Sequence, residues 1–569
     1  MPFEGLARSI SQEHEAAAEL ERRISARSAT RARTGTLTRP AAVVEEGHES
    51  TDNGDGSTLN GQKFDLEAGQ KKKNDSEKQP TPPPSHDDDD EDEFLVTLKG
   101  REHLNPHTWS EVYRWCITAF AGLLVLNATF ASSAPSNLIP SIITHYGVSE
   151  EVGILLIAIF VAGYCVGPLI WGPLSERYGR KFVMIVAWVP YICFQVGCAL
   201  SPNIGSLIIL RFLGGCFAAA PLTNSGGVIA DLWGPDQRGD ALAIFSLMPF
   251  AGPALAPIIS GYMEVTRTNF RWIFWVLTIF GGVCLGGILF FLPETYVPYL
   301  LHNEAKRLRK ETGDERWHAP MDNKQETTKE VINRTVLKPF RMAGQEPMLL
   351  LLTLYMSLVY GVIYLMFEAV PIIFQGNHGL NAGESGLIFL ALLTGGVIGV
   401  LTYIFYFNKK YKQYHHSLEG KPVPVSLLSH IAEYRLVPLM CAAPFFAVSF
   451  FWLGWTAYPS ISIASPILAI VLLGCTVLFI FLSIFNYLID VYLMNAASAL
   501  SFNTVCRSAF GASFPLFAGQ MFRKLSIPGA SSLLGGLAIV FIPAPFLLYK
   551  YGKKIRSMSK NAVVRPNED

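Results

Sequence analysis

Apolar positions in this chain come in long runs rather than in alternation. Twelve windows stand out, near 114–139, 151–172, 182–200, 205–230, 238–263, 272–293, 347–374, 384–407, 436–457, 464–490, 497–521 and 531–551. Each approaches the roughly 20 apolar residues that cross a bilayer as a helix. The pattern predicts an all-α polytopic membrane protein with twelve transmembrane helices. The longest internal polar stretch, 295–346, divides the windows six and six. The expected organisation is therefore a tail over 1–105, a first six-helix half over 106–294, a linker over 295–346, a second half over 347–552 and a short tail over 553–569.

Composition sharpens this picture. Only 16% of the 569 residues are charged, against about a quarter in an ordinary soluble domain, and the charges crowd into the tails, the linker and a few loops. Net charge is zero, so no basic field points to nucleic acid. The nine cysteines include no CxxC pair or Cys/His cluster, which suggests neither a metal site nor a redox pair; several, such as Cys165, Cys193 and Cys284, lie inside apolar runs as small hydrophobes. Residues 1–105, with the acidic run Asp87–Glu93, have the composition of a solvated, disordered tail, and no cleavable signal peptide is visible.

Cations set the orientation. "GRK" at 179–181, "KRLRK" in the linker, "NKKYKQYHH" after window eight and "KYGKKIR" at the end all fall on one side of a twelve-span chain. Opposite loops such as "SPNI" and "GNHGLNAGES" are nearly cation-free, with Arg267, Arg271 and the pair Arg523–Lys524 as exceptions. The positive-inside rule places both termini in the cytoplasm. The sequons at Asn74 and Asn333 then face the cytosol and that at Asn127 lies in a membrane helix, so none is expected to carry glycan.

The stretch "GPLSERYGRK", residues 172–181, interrupts two apolar windows with four charges, two glycines and a proline. Gly172 would let the end of the second helix approach a neighbour, and Gly179 would permit a tight turn. Glu176 sits near a helix end, while Arg177, Arg180 and Lys181 are placed to bridge carboxylates on adjacent helices, Asp231 being the nearest. Such a network would act as a latch that breaks when two halves rock. The plainer reading is a positive-inside loop and nothing more. A second pattern lies in "MPFAGPALAPIISGYM". Pro249, Pro253 and Pro257 recur every four residues, as do Gly252, Ala256 and Ser260, with Gly261 following. One stripe lacks backbone donors and the other is small enough for close helix contact.

These residues carry a resemblance. Residues 172–181 look like the signature loop of the major facilitator superfamily, with Glu176 where Asp is usual, and the six-plus-six organisation fits that fold. The loop after window eight has lost the glycines, so a single latch is expected. The fifth window resembles the antiporter motif of the drug:proton antiporter branch, with Ala256 and Ser260 replacing two glycines. "RWIFWV", "LPETY", "YGVIYLMFEAVP" and "NYLIDVY" are similar to fungal twelve-span exporters of drugs, fluconazole, cycloheximide and polyamines. The resemblance covers about residues 105–556.

Ionisable groups at membrane depth are costly and mark function. Arg211, in the fourth window, matches the family's intramembrane Arg, which the resemblance implicates in proton coupling; a structural cation bonded to backbone carbonyls is the alternative. Glu368 shares a helical face with Tyr360 and Tyr364, four residues apart each time, so it could hold an organic cation or exchange a proton. Capping a helix broken near Pro371 is its plainer role. Asn486 and Asp490 share a face of the tenth window, Asp490 as latch more than pocket. The first window holds no acid; Asn127 is its main deep polar group, and Asn224, Phe367 and Asn503 complete the expected pocket.

The expected function is a proton-coupled exporter of drugs, antifungals or other amphipathic compounds, multi-pass in the plasma membrane and monomeric, with small molecules, protons and lipid as its partners. Polyamine export and nutrient import by the same fold are the alternatives. No GxxxxGK[ST] loop for ATP and no nucleophile–base pair appear, so neither a primary pump nor an enzyme is expected, and no cofactor is implied.

Overall fold

The computed structural model describes residues 94–322, 330, 333–418, 433–492, 495–559 and 561. Most of the amino-terminal tail, Asn74 included, lies outside them. Helix dominates, and the only β-pairing among the described residues is a parallel bridge between Leu95 and His318. Hydrocarbon offers the backbone no partners, so a spanning segment must satisfy its own N–H and C=O groups as helix.

Eleven helical segments among the described residues are long and apolar enough to span a membrane. The first half comprises α1 (Glu111–Ser133), α2 (Glu150–Tyr178), α3 (Arg180–Leu200), α4 (Ile204–Leu232), α5 (Met248–Val265) and α6 (Arg271–Phe290). The second comprises α7 (Pro347–Pro371), α8 (Ala382–Gln413), α9 (Val437–Thr456), α10 (Ala464–Tyr492) and the 57-residue segment Ala496–Gly552. As one straight helix that last segment would reach roughly 85 Å, far beyond a bilayer. It is broken at Ser526, whose φ of 60° and ψ of 168° are not helical. Residues 496–525 therefore form α11 and residues 527–557 form α12. Twelve passes result, split six and six, in agreement with the apolar windows.

Close packing within each half rests on glycine. A Cβ on Gly163 would lie 2.6 Å from the Cys216 nitrogen, and one on Gly215 would collide with the Phe160 carbonyl, so the α2 and α4 backbones touch. The second half repeats the device, with Gly395 and Gly474 bringing α8 and α10 together. Lipid tails are as apolar as the helices, so contact of this kind, and not hydrophobic exclusion, drives association. Gly172 plays no such part. A Cβ there would meet only Thr223, at an ordinary 3.7 Å.

Local signals set the boundaries. Asn381 accepts from the Glu384 nitrogen at 2.8 Å while Glu384 accepts from the Asn381 nitrogen at 3.0 Å, a capping box that starts α8. The expected tail boundary at 105 comes too late. Val96 is fully buried against Leu301, Ala305 and Ala319, and its N–H donates to the His318 carbonyl at 2.8 Å. The chain thus docks onto the linker helix Val297–Thr312 before it enters α1.

Candidate functional site

The 172–181 stretch ends α2 and starts α3. Gly179 has φ 87°, a conformation that favours glycine, and a Cβ there would strike the Glu294 carboxylate and lie 2.8 Å from Tyr299. Glu294, from "LPETY", accepts from the Arg180 and Lys181 backbone nitrogens at 2.9 and 3.1 Å, capping α3 with a charge that suits its positive end. Arg180 meets Asp231 at 3.3 Å, donates to Ser175 at 2.7 Å and lies 4.8 Å over the Tyr296 ring. Burial holds the Tyr296 hydroxyl above its usual pKa, so the ring beneath the cation stays uncharged.

Of the three cations expected to bridge carboxylates, only Arg180 reaches Asp231. Arg177 rests on the neighbouring Tyr178 ring, Lys181 donates to the Leu289 carbonyl, and the exposed Glu176 pairs with Arg334 of the linker at 3.6 Å. These contacts brace α2, α3, α4 and the linker. The expectation of a single latch also fails. Arg435, just before α9, pairs with Asp490 at the end of α10 at 3.0 Å and lies 3.5 Å over Tyr411. Both arginine side chains are only 12% exposed, so these pairs act in a lower dielectric than surface pairs do. Burial opposes the Arg435 charge, but Tyr403 and Asp490 outweigh it and hold its pKa above the ordinary value. The glycine spacing that flagged the first brace is absent from the second, whose arginine comes from the far end of the loop.

What joins the halves lies elsewhere. At the end of the bundle that carries residues 172–181, Asp240 accepts from Asn408 and Lys412 of α8, each at 2.6 Å. At the opposite end Glu150 of α2 pairs with Arg523 of α11 at 2.8 Å. The α5 motif works between these two ends. A Cβ on Gly252 would strike Thr129 Oγ1 and lie 2.5 Å from the Phe130 nitrogen of α1. One on Gly261 would strike the Ala382 carbonyl, and Gly386 of α8 approaches the Pro257 carbonyl as closely. Ala256 and Ser260 are fully buried, with the serine hydroxyl turned back to the Ala256 carbonyl at 3.1 Å. Pro253 is buried in the same helix. Helix α5 is thus the slab on which α1 and α8 both ride.

Midway along the helices the halves meet through polar and aromatic groups. Ser132 of α1 donates to the Thr129 carbonyl at 2.6 Å, leaving its oxygen to accept from the Tyr364 hydroxyl of α7 at 2.9 Å. Tyr360 stands one turn along, its hydroxyl 3.5 Å from that of Tyr364. Phe367 packs on Tyr364 and Phe389, and Phe481 of α10 meets Tyr360 and, edge-on, Phe250 of α5. The result is an aromatic layer shared by both halves. Ser132 and Arg507, which belongs to this layer, were missed by sequence reasoning. Arg507 carried the same signal as Arg211, a lone cation inside an apolar window.

Arg211 is fully buried and fully engaged. Its three guanidinium nitrogens donate to the carbonyls of Leu156 at 3.0 Å, Ala131 at 2.7 Å and Ser132 at 3.1 Å, and its carbon lies 4.1 Å over the Phe160 ring. It pins α4 to α1 and α2, the backbone-bound alternative of the two expected roles. Glu368 is part-buried and without a hydrogen bond or ion pair among the described residues. Eight residues past Tyr360, it stands about 12 Å further along α7, within electrostatic reach of Glu150 and Arg523.

The expected pocket asparagines do not join this layer. Asn127 accepts from Tyr191 of α3 at 2.8 Å, and Asn503 donates to Thr353 at 3.4 Å, so each stitches one half internally. Asn224 is fully buried, with neither amide atom hydrogen-bonded. Asn486 is held by Tyr403 and the Leu482 carbonyl.

Comparison with known proteins agrees with this architecture. The profile of the family described as Major Facilitator Superfamily matches residues 120–515. The chain is 39% identical over 472 residues to the major facilitator superfamily multidrug transporter mdrA of Aspergillus fumigatus, covering 83% of this chain and 76% of that protein. It is 37% identical over 455 residues to the efflux pump FUB11 of Gibberella moniliformis, covering 80% and 75%. Among solved structures, the proton:xylose symporter XylE superposes with a TM-score of 0.54 at 17% identity, over 78% of this chain and 96% of that one, a likeness of fold.

Proposed function

The chain belongs to the major facilitator superfamily, and from that premise we propose that it exports amphipathic small molecules, drugs and antifungals among them, in exchange for protons. It does so as a multi-pass protein of the plasma membrane with both termini in the cytoplasm and the 172–181 stretch on that side, acting as a monomer. The observation that carries this reading is the aromatic layer at mid-depth, built from α1, α5, α7, α8 and α10 and held across the halves by the Ser132–Tyr364 hydrogen bond. Rings supply apolar area and few fixed hydrogen bonds, which suits varied amphipathic ligands. Efflux and multidrug names among the relatives favour the outward direction.

Alternating access follows from the contacts at the two ends. Opening toward the cytoplasm breaks Asp240–Lys412 and Asp240–Asn408; opening outward breaks Glu150–Arg523 and separates α5 from the start of α8. The braces Arg180–Asp231 and Arg435–Asp490 keep each half rigid while it rocks. Glu368 is the proton carrier, because its unpaired carboxylate lies part-buried near the outer contact, where losing a proton adds a charge beside Arg523. Polyamine export is disfavoured, since the layer itself holds an arginine and no paired acid.

Purified protein in liposomes, with an imposed pH gradient and no nucleotide, should accumulate or expel a lipophilic dye. Transport that appears only with ATP overturns the coupling. In the same vesicles Glu368→Gln should lower gradient-driven transport at least tenfold while leaving gradient-free exchange of substrate near wild type. Equal loss of both rates would make Glu368 a structural group.

A further inference from the structure

Two arginines lie deep in the bundle, and they are held in opposite ways. Arg211 has spent every donor on backbone carbonyls. Arg507 of α11 has spent none among the described residues. Among the described residues its Nε is enclosed without a hydrogen-bond partner, and no carboxylate pairs with it. Instead the guanidinium carbon sits 5.1 Å from the Tyr360 ring, 5.8 Å from Phe481 and 5.5 Å from Phe485, three rings from two other helices. Ring faces attract a cation but accept no hydrogen bonds in the plane of its fork.

The place of this group fixes what could complete it. Tyr360 leads through Tyr364 to Ser132 of the first half, and one residue pair away the Cys165 thiol of α2 contacts the Val505 carbonyl of α11 at 3.5 Å. Arg507 therefore stands at the seam between halves and not on the lipid face, and its side chain is only part-buried there. A charge at such depth, without counter-charge, is retained at a cost that a purely structural role would not require. The cost is recovered when an anion arrives, and a carboxylate fits because its two oxygens match the guanidinium fork.

We propose that Arg507, with the cage of Tyr360, Phe481 and Phe485, binds the carboxylate of anionic amphipathic substrates whose aromatic or apolar body lies in the ring layer. This deepens the efflux reading and rests on it. Of the roles open to Glu368, it speaks against holding an organic cation, since the charge in the layer itself is positive.

The test uses the full-length protein in nanodiscs of phosphatidylcholine alone, so that no anionic lipid competes, with 2-naphthoate and its uncharged isostere 2-naphthamide as probes. Wild type should bind naphthoate at least tenfold more tightly than naphthamide. Arg507→Gln should erase that preference by weakening naphthoate at least tenfold more than naphthamide; Arg507→Lys should keep part of it, because a point charge attracts the anion without the fork. The proposal is overturned if wild type shows no preference for naphthoate, or if Arg507→Gln weakens both probes equally. Should Arg507→Gln fail to fold, Tyr360→Leu, which removes one wall of the cage and keeps the cation, should still reduce the preference, and an unchanged preference there overturns the proposal. Liposomes holding wild-type protein separate the two readings. Efflux of the amide without the acid sinks the anion site alone, whereas efflux of neither sinks the exporter.

Discussion

Gly252→Val abolishes transport of every substrate, anionic, neutral or cationic, while Gly172→Ala leaves rates within about twofold of wild type. The two glycines sit in the two motifs that drew attention in the sequence, yet their surroundings differ. A side chain at 252 would meet the Thr129 hydroxyl, the Phe130 nitrogen at 2.5 Å and the Leu126 carbonyl at 2.7 Å. Two of these are backbone of α1, which cannot yield without the whole helix moving. Forcing atoms into such contact costs about 1–3 kcal/mol as the helices shift, and the shift moves α1 off the slab that it shares with α8. Ser132, which bonds Tyr364 across the halves, rides on α1 one turn beyond the clash. At 172 the nearest atom lies at 3.7 Å. Transport of three differently charged dyes by vesicles with matched protein content reads the contrast. Normal transport by Gly252→Val, or equal damage by Gly172→Ala, would mean that the α1–α5 contact is not the bearing surface proposed for it.

Arg211→Met removes protein from the membrane, and Arg211→Lys lowers both thermal stability and transport. Methionine fills much of the volume but leaves the carbonyls of Leu156, Ala131 and Ser132 without their donors. The Leu156 carbonyl keeps its place in the α2 ladder, but at the open end of α1 the Ala131 and Ser132 carbonyls are stranded at about 1–3 kcal/mol each, a large share of the net stability of a typical domain. Lysine keeps the charge and can serve one or two of the carbonyls, but it has no planar fork to span three. The informative readout is the melting temperature of the purified variants beside their transport rates. A fall in both confirms a fold-holding cation. An unchanged melting temperature with lost transport would return Arg211 to the proton-coupling role that its resemblance implied, and Glu368 would then no longer suffice as carrier.

The order of these effects follows from geometry more than from residue type. Both arginines in the membrane are cations in apolar windows, and nothing in composition or spacing tells them apart. One is a bolt and the other an open hand, because Arg211 meets three carbonyls at 2.7–3.1 Å whereas Arg507 meets three rings. The braces teach the same lesson. Arg180–Asp231 and Arg435–Asp490 occupy corresponding places in the two halves, separated by 51 and 55 residues, yet only the first is announced by glycines. Glycine was required at 179 by a positive φ and by the Glu294 carboxylate beside it, not by the ion pair itself.

Apolar runs and their flanking cations were enough for the class of molecule, the twelve passes and their division six and six, and they marked Asp231 as an acid within reach of the 177–181 cations without saying which cation takes it. Each of these is local or nearly so. Whether a segment crosses the membrane depends on the transfer cost of its own 20 or so residues, and a helix end can be read from its own caps and cations. Tyr360, Tyr364 and Glu368 were also legible as one face, because helical spacing fixes which residues of one segment look the same way. What that face looks at depends on contacts between segments far apart in the chain. Ser132 and Tyr364 are 232 residues apart, Asp240 and Lys412 are 172 apart, and Glu150 and Arg523 are 373 apart. Periodicity carries no information about the rotation of one helix against another; packing of small residues such as Gly252, Gly261 and Gly386 sets it. That rotation left Asn127 and Asn503 inside their own halves, spent Arg211 on backbone, and turned Arg507 toward the seam with its charge unanswered.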